Sequence, residues 1–356
     1  MRSGLHGPAA LQKGAIYTGI SLRLSRYQPA ATLTPADGNG AGAGAMAALS
    51  DTISWAWIPV TLGAALAQTL RNAAQRHLTG DLGALGATLV RFLYGLPFAL
   101  IWLAVAWLGF AQGGAWPAIN VAFLTWTVVA ALSQIAATAL LLRNMEERNF
   151  AIGVAYSKSE IIQVALFGLV LLGDRVSLIT VVSIVVASVA VVLLSLPAGN
   201  RSLMSIARGW ASRSALFGLG SGAAFGMAAV GYRGAALALA TPSVVFAAAE
   251  SLVWAQTFQT VLLGGYLAWR NRNVIVEVVR AWRVSLLAGA MGAAGSACWF
   301  TAMAMQPVAR VRTLGLIELY FSYVVSRRVF RERLGAAELV GLLLLAVGLV
   351  GIVGLR

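Results

Sequence analysis

The sequence predicts an all-α integral membrane protein of about ten transmembrane helices, arranged as two inverted five-helix repeats. Three observations carry that expectation: apolar runs of bilayer length, charge gathered mostly at their ends, and an internal repeat. Of the 356 residues, 59% are hydrophobic and only 11% charged, and the mean hydropathy is +0.81. An ordinary soluble domain carries about twice that charged fraction. A hydrocarbon core about 30 Å thick takes roughly 20 apolar residues per helix. About ten such runs follow one another, at 53–75, 83–110, 116–142, 150–172, 176–196, 214–238, 240–268, 284–305, 309–329 and 335–355. Membrane-spanning strands would be about ten residues long and alternate in polarity; these runs are longer and do not alternate.

The repeat emerges on shifting the chain by 158 residues. Asp174-Arg175-Val176-Ser177 then falls on Glu332-Arg333-Leu334-Gly335, Glu160 falls on Glu318, and Ala136 to Ala139 fall on Ala294, Gly295, Ser296 and Ala297. A single-residue gap brings Arg91 opposite Glu250. An odd number of helices per half makes the second copy enter the membrane from the opposite side. The halves are then related by a pseudo-twofold axis in the membrane plane, with a site between them near the midplane. The expected organisation is a tail over 1–52, a first repeat over 53–196, a connecting loop over 197–213 and a second repeat over 214–356. Small residues four apart, Gly218, Gly222 and Gly226, and again Ala288, Gly292 and Ser296, allow close helix contact in lipid.

The tail is basic, with Arg2, Lys13, Arg23 and Arg26, and ends in a glycine-rich stretch. No strand precedes that stretch and no periodic helix follows it directly, so it reads as a linker and not as a phosphate loop. Met46 is a candidate start, which would leave 1–45 as a disordered or artefactual extension. The single cysteine, Cys298, excludes an intramolecular disulfide, and two histidines far apart, His6 and His77, make no zinc constellation. No cofactor is implied. The net charge of +14 sits on arginines at helix ends and in short connections, which suits membrane orientation and not nucleic-acid binding. The partners expected are the lipid bilayer and a small-molecule substrate.

The segment Ala309-Arg310-Val311-Arg312 through Leu316-Ile317-Glu318-Leu319, then Val329-Phe330-Arg331-Glu332-Arg333-Leu334-Gly335, then Val340-Gly341 to Gly348, resembles the drug/metabolite transporter superfamily, specifically its EamA-like ten-helix permeases. Gly173-Asp174-Arg175-Val176 repeats the connection in the first half, and the likeness covers about 53–355. Ile161 and Leu319 stand where the family often has proline after a central glutamate, and Asp174 where it usually has glutamate. The resemblance implies a secondary transporter, often an exporter of amino acids or other metabolites, in a bacterial inner membrane. It does not name the substrate.

Charge inside a membrane helix costs at least about 2.5–3.5 kcal/mol on insertion scales, so each such residue is a functional candidate. Arg91, Lys158, Glu160, Glu250 and Glu318 lie within apolar runs, with Arg310 and Arg312 near the start of the ninth. Lys158 and Glu160 are two apart and cannot face each other on one helix. Lys158 is therefore expected to pair with Glu250 or Glu318, and Arg91 with Glu160 or Glu250. Gln134, Tyr156, Gln163, Gln256 and Tyr320 are uncharged groups at similar depth, suited to completing a site in a mostly apolar cavity. Glu160 and Glu318, with Lys158, are expected to face one central cavity and bind substrate or a coupling proton.

The function expected is alternating-access transport of a small metabolite. The alternatives are a flippase for a lipid-linked sugar and, further off, a membrane-embedded enzyme. An enzyme would need a cluster of His, Asp or Ser groups at one membrane face, or a long catalytic loop. The longest connection, 197–213, carries arginines but neither acid nor histidine. Connections after odd-numbered spans hold most of the arginines, among them Arg71, Arg76, Arg143, Arg270, Arg280 and Arg328, whereas the even side carries Arg175, Arg233, Arg310, Arg312 and Arg356. The positive-inside rule places the odd connections in the cytoplasm and both termini outside. The resemblance implies the reverse; the charge distribution favours the former.

Overall fold

The computed structural model describes residues 55–110, 116–147, 157–174, 177–194, 213–239, 241–329 and 336–354. The tail 1–52, Tyr156, the loop 197–212 and the Arg331 to Gly335 connection lie outside the described residues. The described residues are helical and contain no strand. In chain order they form α1 (Trp57–Leu93), α2 (Leu96–Phe110), α3 (Val121–Glu147), α4 (Glu160–Phe167, continued by a π turn at Gly168–Leu172), α5 (Leu178–Leu194) and α6 (Arg213–Ala238). The second half continues with α7 (Val244–Arg270), α8 (Arg272–Arg280), α9 (Trp282–Met305), α10 (Val308–Leu314), α11 (Glu318–Arg328) and α12 (Ala336–Gly354), α10 and α11 being joined by a 3₁₀ turn at Gly315–Ile317.

Three stretches are long and apolar enough to cross a membrane: Trp57–Phe110, Val121–Met145 and Trp282–Met305. At 1.5 Å per residue a 24-residue helix such as α9 spans about 36 Å, slightly more than the hydrocarbon core. The first stretch turns back on itself. Gly83 holds φ 64° and ψ 171° inside α1, a conformation glycine adopts at no steric cost. The Gln75 side chain donates to the Ala87 carbonyl at 2.7 Å, although twelve residues of straight helix would separate these positions by about 18 Å. The limbs on either side of Gly83 are therefore antiparallel. A further interruption at Tyr94–Gly95 separates the second limb from α2.

Large apolar side chains face outward along most helices. Leu62, Leu66 and Leu70 of α1, Leu100, Ile101 and Leu108 of α2, and Val181, Val185 and Val189 of α5 are all exposed. On α1 and α5 they recur every four residues, which makes apolar stripes along the outward faces. The polar groups go inward instead. Gln68, Arg71, Asn72 and Gln75 lie on the opposite side of α1 and are buried, the reverse of a soluble amphipathic helix. The orientation argument counts Arg71 with the connections after odd-numbered spans; it lies inside the first limb of α1 and is buried, so it is an interior residue. Arg233 and Arg312, expected on the even side, are likewise largely buried within helices. With these three removed, the arginine excess on the odd side remains.

The most extensive contacts run between the two halves: α1 packs on α9, α3 on α6, α5 on α12 and α2 on α7. α4 lies against α6 and α10, while α10 and α11 lie against α1. Glycines set the close approaches. A Cβ at Gly222 of α6 would sit 2.7 Å from Ser159 Oγ, 2.8 Å from the Ser157 carbonyl oxygen and 2.9 Å from the Glu160 amide nitrogen. Beyond α4, the Asp174 carboxylate pairs with Arg233 Nε at 3.1 Å, and Arg233 Nη1 donates to the Met303 and Gln306 carbonyls at 2.6 and 3.0 Å. The first-half connection thus ties α4, α6 and the end of α9 together. α8, unforeseen in the sequence, is a short amphipathic helix whose buried Val278 offers its carbonyl to the Tyr94 hydroxyl at 3.1 Å.

Candidate functional site

Three interior charges sit where helices break. Lys158 lies in a turn immediately before α4, with Glu160 the first residue of that helix. Glu318 is the first residue of α11, following the 3₁₀ turn at Gly315–Ile317. Neither break is marked by proline, so nothing in the local sequence signals them. Packing supplies a cause instead. Gly222 lets α6 press directly on the turn before α4, and a Cβ at Gly315 would overlap the Trp299 ring. Short non-α segments inside apolar helices are frequent at functional sites, and irregular backbone at membrane depth is tolerated only where protein or a cavity surrounds it.

Glu318 is the centre of the network. It is completely buried and ion-paired with Lys158 Nζ. Gln68 Nε2 donates to Oε2 at 2.6 Å, and Asn72 Nδ2 donates to Oε1 at 3.0 Å. Both carboxylate oxygens are thus occupied, which is what a carboxylate out of water requires. The donors are themselves positioned: Trp299 Nε1 donates to Gln68 Oε1 at 2.9 Å, and Arg71 Nη2 donates to Asn72 Oδ1 at 2.6 Å. Glu160 pairs with Arg312 Nη1 at 3.3 Å, and the Arg312 guanidinium lies 4.5 Å from the Trp299 ring centroid, within cation–π range. The two ion pairs cross between α4 and the α10–α11 segment, each joining one half of the chain to the other.

Lys158, of the two partners expected for it, takes Glu318 and not Glu250. Arg91 meets neither Glu160 nor Glu250. Its Nη1 donates to Thr138 Oγ1 at 2.9 Å and its Nη2 to Ser296 Oγ at 3.3 Å, the two hydroxyls that the 158-residue shift superimposes. Gln134, one turn before Thr138, accepts from the Tyr232 hydroxyl at 2.8 Å and from Gln259 Nε2 at 2.8 Å. Tyr232 stacks on Phe300 with ring centroids 4.0 Å apart. Gln163 is one turn along α4 from Glu160 and half-buried, and its Oε1 has no hydrogen-bond partner among the described residues.

Glu250 stands apart from this network. It accepts from Trp116 Nε1 at 2.8 Å, beside an aromatic cluster in which Trp107, Trp116 and Phe246 have centroids 4.9 to 5.3 Å apart. It shares no hydrogen bond or ion pair with Lys158, Glu160, Glu318 or Arg91. Lys158, Glu160 and Glu318 thus share one network with Arg312 and Trp299; Arg91 lies beside it, its side chain passing Gly292 together with that of Arg71, with Gln134 one turn from its partner Thr138, and Glu250 stands outside.

Gln68, Arg71, Asn72 and Trp299 belong to the site and were not foreseen in it. The available signal was periodicity. Gln68, Arg71, Asn72 and Gln75 recur at helical spacing opposite Leu62, Leu66 and Leu70, so they form a polar stripe and not the end of a span.

No family model and no curated protein sequence matches the chain. A solved structure titled only as the crystal structure of a protein is similar in fold, with a TM-score of 0.56 and 12% identity over 84% of this chain and 99% of its own.

Proposed function

We propose that this chain is a multi-pass secondary transporter of the EamA-like drug/metabolite type, moving a small metabolite across a bacterial inner membrane by alternating access between two inverted five-helix repeats. The single observation that carries this reading is the pair of cross-half ion bridges at the breaks beside Glu160 and Glu318, positions equivalent under the 158-residue shift. Buried charge is costly wherever it is placed. Its concentration at the junction of the halves supports a site there and not a general stabilising role.

The packing pattern supports the inverted repeat. Under the shift, the first limb of α1 corresponds to α6 and α3 to α9, so the α1–α9 contact mirrors the α6–α3 contact; α5–α12 and α2–α7 each join a helix to its own counterpart. Arg91 between Thr138 and Ser296 is consistent with a position near the axis. Alternating access then follows from rocking one half against the other around the fixed site.

The test is transport by proteoliposomes carrying wild-type protein, Glu160→Gln or Glu318→Gln, with inserted protein quantified. The reading expects the variants to remain reconstitutable while uptake or efflux of the wild-type cargo falls and its pH dependence changes. Unaltered transport at every pH by normally inserted variants would reject a transport role for the two carboxylates. Failure of the wild type to move any small metabolite would reject the transporter reading itself.

A further inference from the structure

The interior around Glu318 contains more positive than negative charge. Among the described residues, Arg71, Arg91, Lys158 and Arg312 are buried there with two carboxylates, Glu160 and Glu318. Lys158 is matched by Glu318 and Arg312 by Glu160. Arg71 and Arg91 are left over, and they are among the most completely buried side chains, at 1% and 2% exposure. Neither makes an ion pair among the described residues.

Each arginine satisfies only part of its donor set, and only with neutral oxygens. Arg71 Nε and Nη2 both donate to Asn72 Oδ1, and its Nη1 has no acceptor. Arg91 donates to the Thr138 and Ser296 hydroxyls, and its Nε has no acceptor. The oxygens of Glu318 are already held by Lys158, Gln68 and Asn72. A lysine in this position could lose its proton; a guanidinium does not. The stems of the two side chains pass the same point, because a Cβ at Gly292 would be 3.1 Å from Arg91 Cγ and 3.4 Å from Arg71 Cδ. Gly292 provides the space through which both side chains pass.

We propose that Arg71 and Arg91 form the binding site for a small oxyanion, a carboxylate or phosphate group, which supplies the missing negative charge. The inference rests on the transport reading only in making this anion the anionic part of the cargo. A guanidinium presents planar, paired donors that match two oxygens of a carboxylate or phosphate. The ligand's oxygens accept the free donors Arg71 Nη1 and Arg91 Nε, while Asn72, Thr138 and Ser296 hold the two forks in place. Lys158 and Arg312 remain engaged by their carboxylates, which limits the charge offered to the ligand to about two.

The experiment uses the full chain in detergent, with thermal unfolding followed at constant ionic strength in sodium phosphate, sodium succinate, sodium chloride or choline chloride. The expected result is a saturable rise in Tm with phosphate or succinate beyond that with either chloride salt. Which of the two acts at lower concentration identifies phosphate or carboxylate as the preferred group. Arg91→Gln and Arg71→Gln should raise the half-maximal concentration by about tenfold or more, as expected for losing a charge-assisted hydrogen bond, and Arg91→Lys should lose less than Arg91→Gln.

A second measurement needs no variant. Dicarbonyl modification of arginine in the wild type, read by peptide mass spectrometry, should be slowed at Arg71 and Arg91 by the stabilising anion and not by chloride. Oxyanions acting no differently from chloride in both measurements, or both glutamine variants responding like wild type, would overturn the proposal. Anion binding without transport of any solute would support this site and reject the transporter reading. Transport of a cation or an uncharged solute without oxyanion binding would overturn the site and leave transport standing.

Discussion

The breaks at Glu160 and Glu318 occupy positions that a 158-residue shift of the sequence superimposes, but they are anchored very differently. Glu318 is held by Lys158, Gln68 and Asn72, and its break is fitted to the Trp299 ring through Gly315. Among the described residues Glu160 has one cationic partner, Arg312, at 3.3 Å, and its break leans on the bare backbone of α6 at Gly222. The second break is therefore a hub that organises the first limb of α1 and the turn before α4, while the first is a single latch. Sequence symmetry places charges in equivalent positions; it does not make their surroundings equivalent.

Removing the hub should have the largest effect. Glu318→Ala leaves Lys158 charged without a partner and strips acceptors from Gln68 and Asn72. Breaking a buried pair from one side costs about 3–5 kcal/mol, so a clear fall in thermal unfolding temperature in detergent is expected. A Lys158→Met, Glu318→Met double variant should recover part of that loss, because no lone charge remains. A double variant as unstable as the sum of its single variants would show that the two residues are not energetically coupled.

The glycine supports sharpen the comparison at intermediate cost. Gly315→Ala drives a methyl group into the Trp299 ring, and Gly222→Ala drives one into the turn at Ser157–Glu160. Overpacking of this kind costs about 1–3 kcal/mol. Both variants should unfold at lower temperature than wild type, whereas Gly80→Ala, where a methyl group meets nothing within 4 Å, should not. Equal behaviour of all three in a thermal scan would remove close packing as the cause of the breaks.

The smallest of these effects is expected at the latch. Glu160→Gln keeps the shape and one acceptor for Arg312, which retains its contact with Trp299. Its loss of thermal stability should be smaller than that of Glu318→Gln, measured side by side in the same detergent. A reversed order would contradict the assignment of Glu318 as the hub.

A helical chain with helices long and apolar enough to cross a membrane is legible in the sequence, because apolar length and charge scarcity are read directly from it. Lys158, Glu160, Glu318 and Arg91 are legible as interior charges too, since an ionisable residue within an apolar run is too costly to leave facing lipid. Their pairing is not. Arg91, expected opposite an acid, is held by two hydroxyls 158 residues apart, an arrangement that only tertiary packing creates. Arg71 and Asn72 read as the end of a span, because counting apolar residues does not distinguish a polar face turned inward from a helix leaving the membrane. The helix breaks were hidden for a related reason: they arise from Gly222 and Gly315 contacting distant helices, with no proline to mark them.

If the Lys158–Glu318 bridge across the halves serves transport, charge reversal at its two ends must disturb it. Proteoliposomes carrying Lys158→Glu, Glu318→Lys or both would be compared with wild type for movement of the same cargo, at equal amounts of inserted protein. The account predicts that either single reversal abolishes transport, by placing like charges together in the interior. The double reversal should restore part of it, because the ion pair is re-formed with its ends exchanged. Single reversals that insert and transport as well as wild type would contradict it.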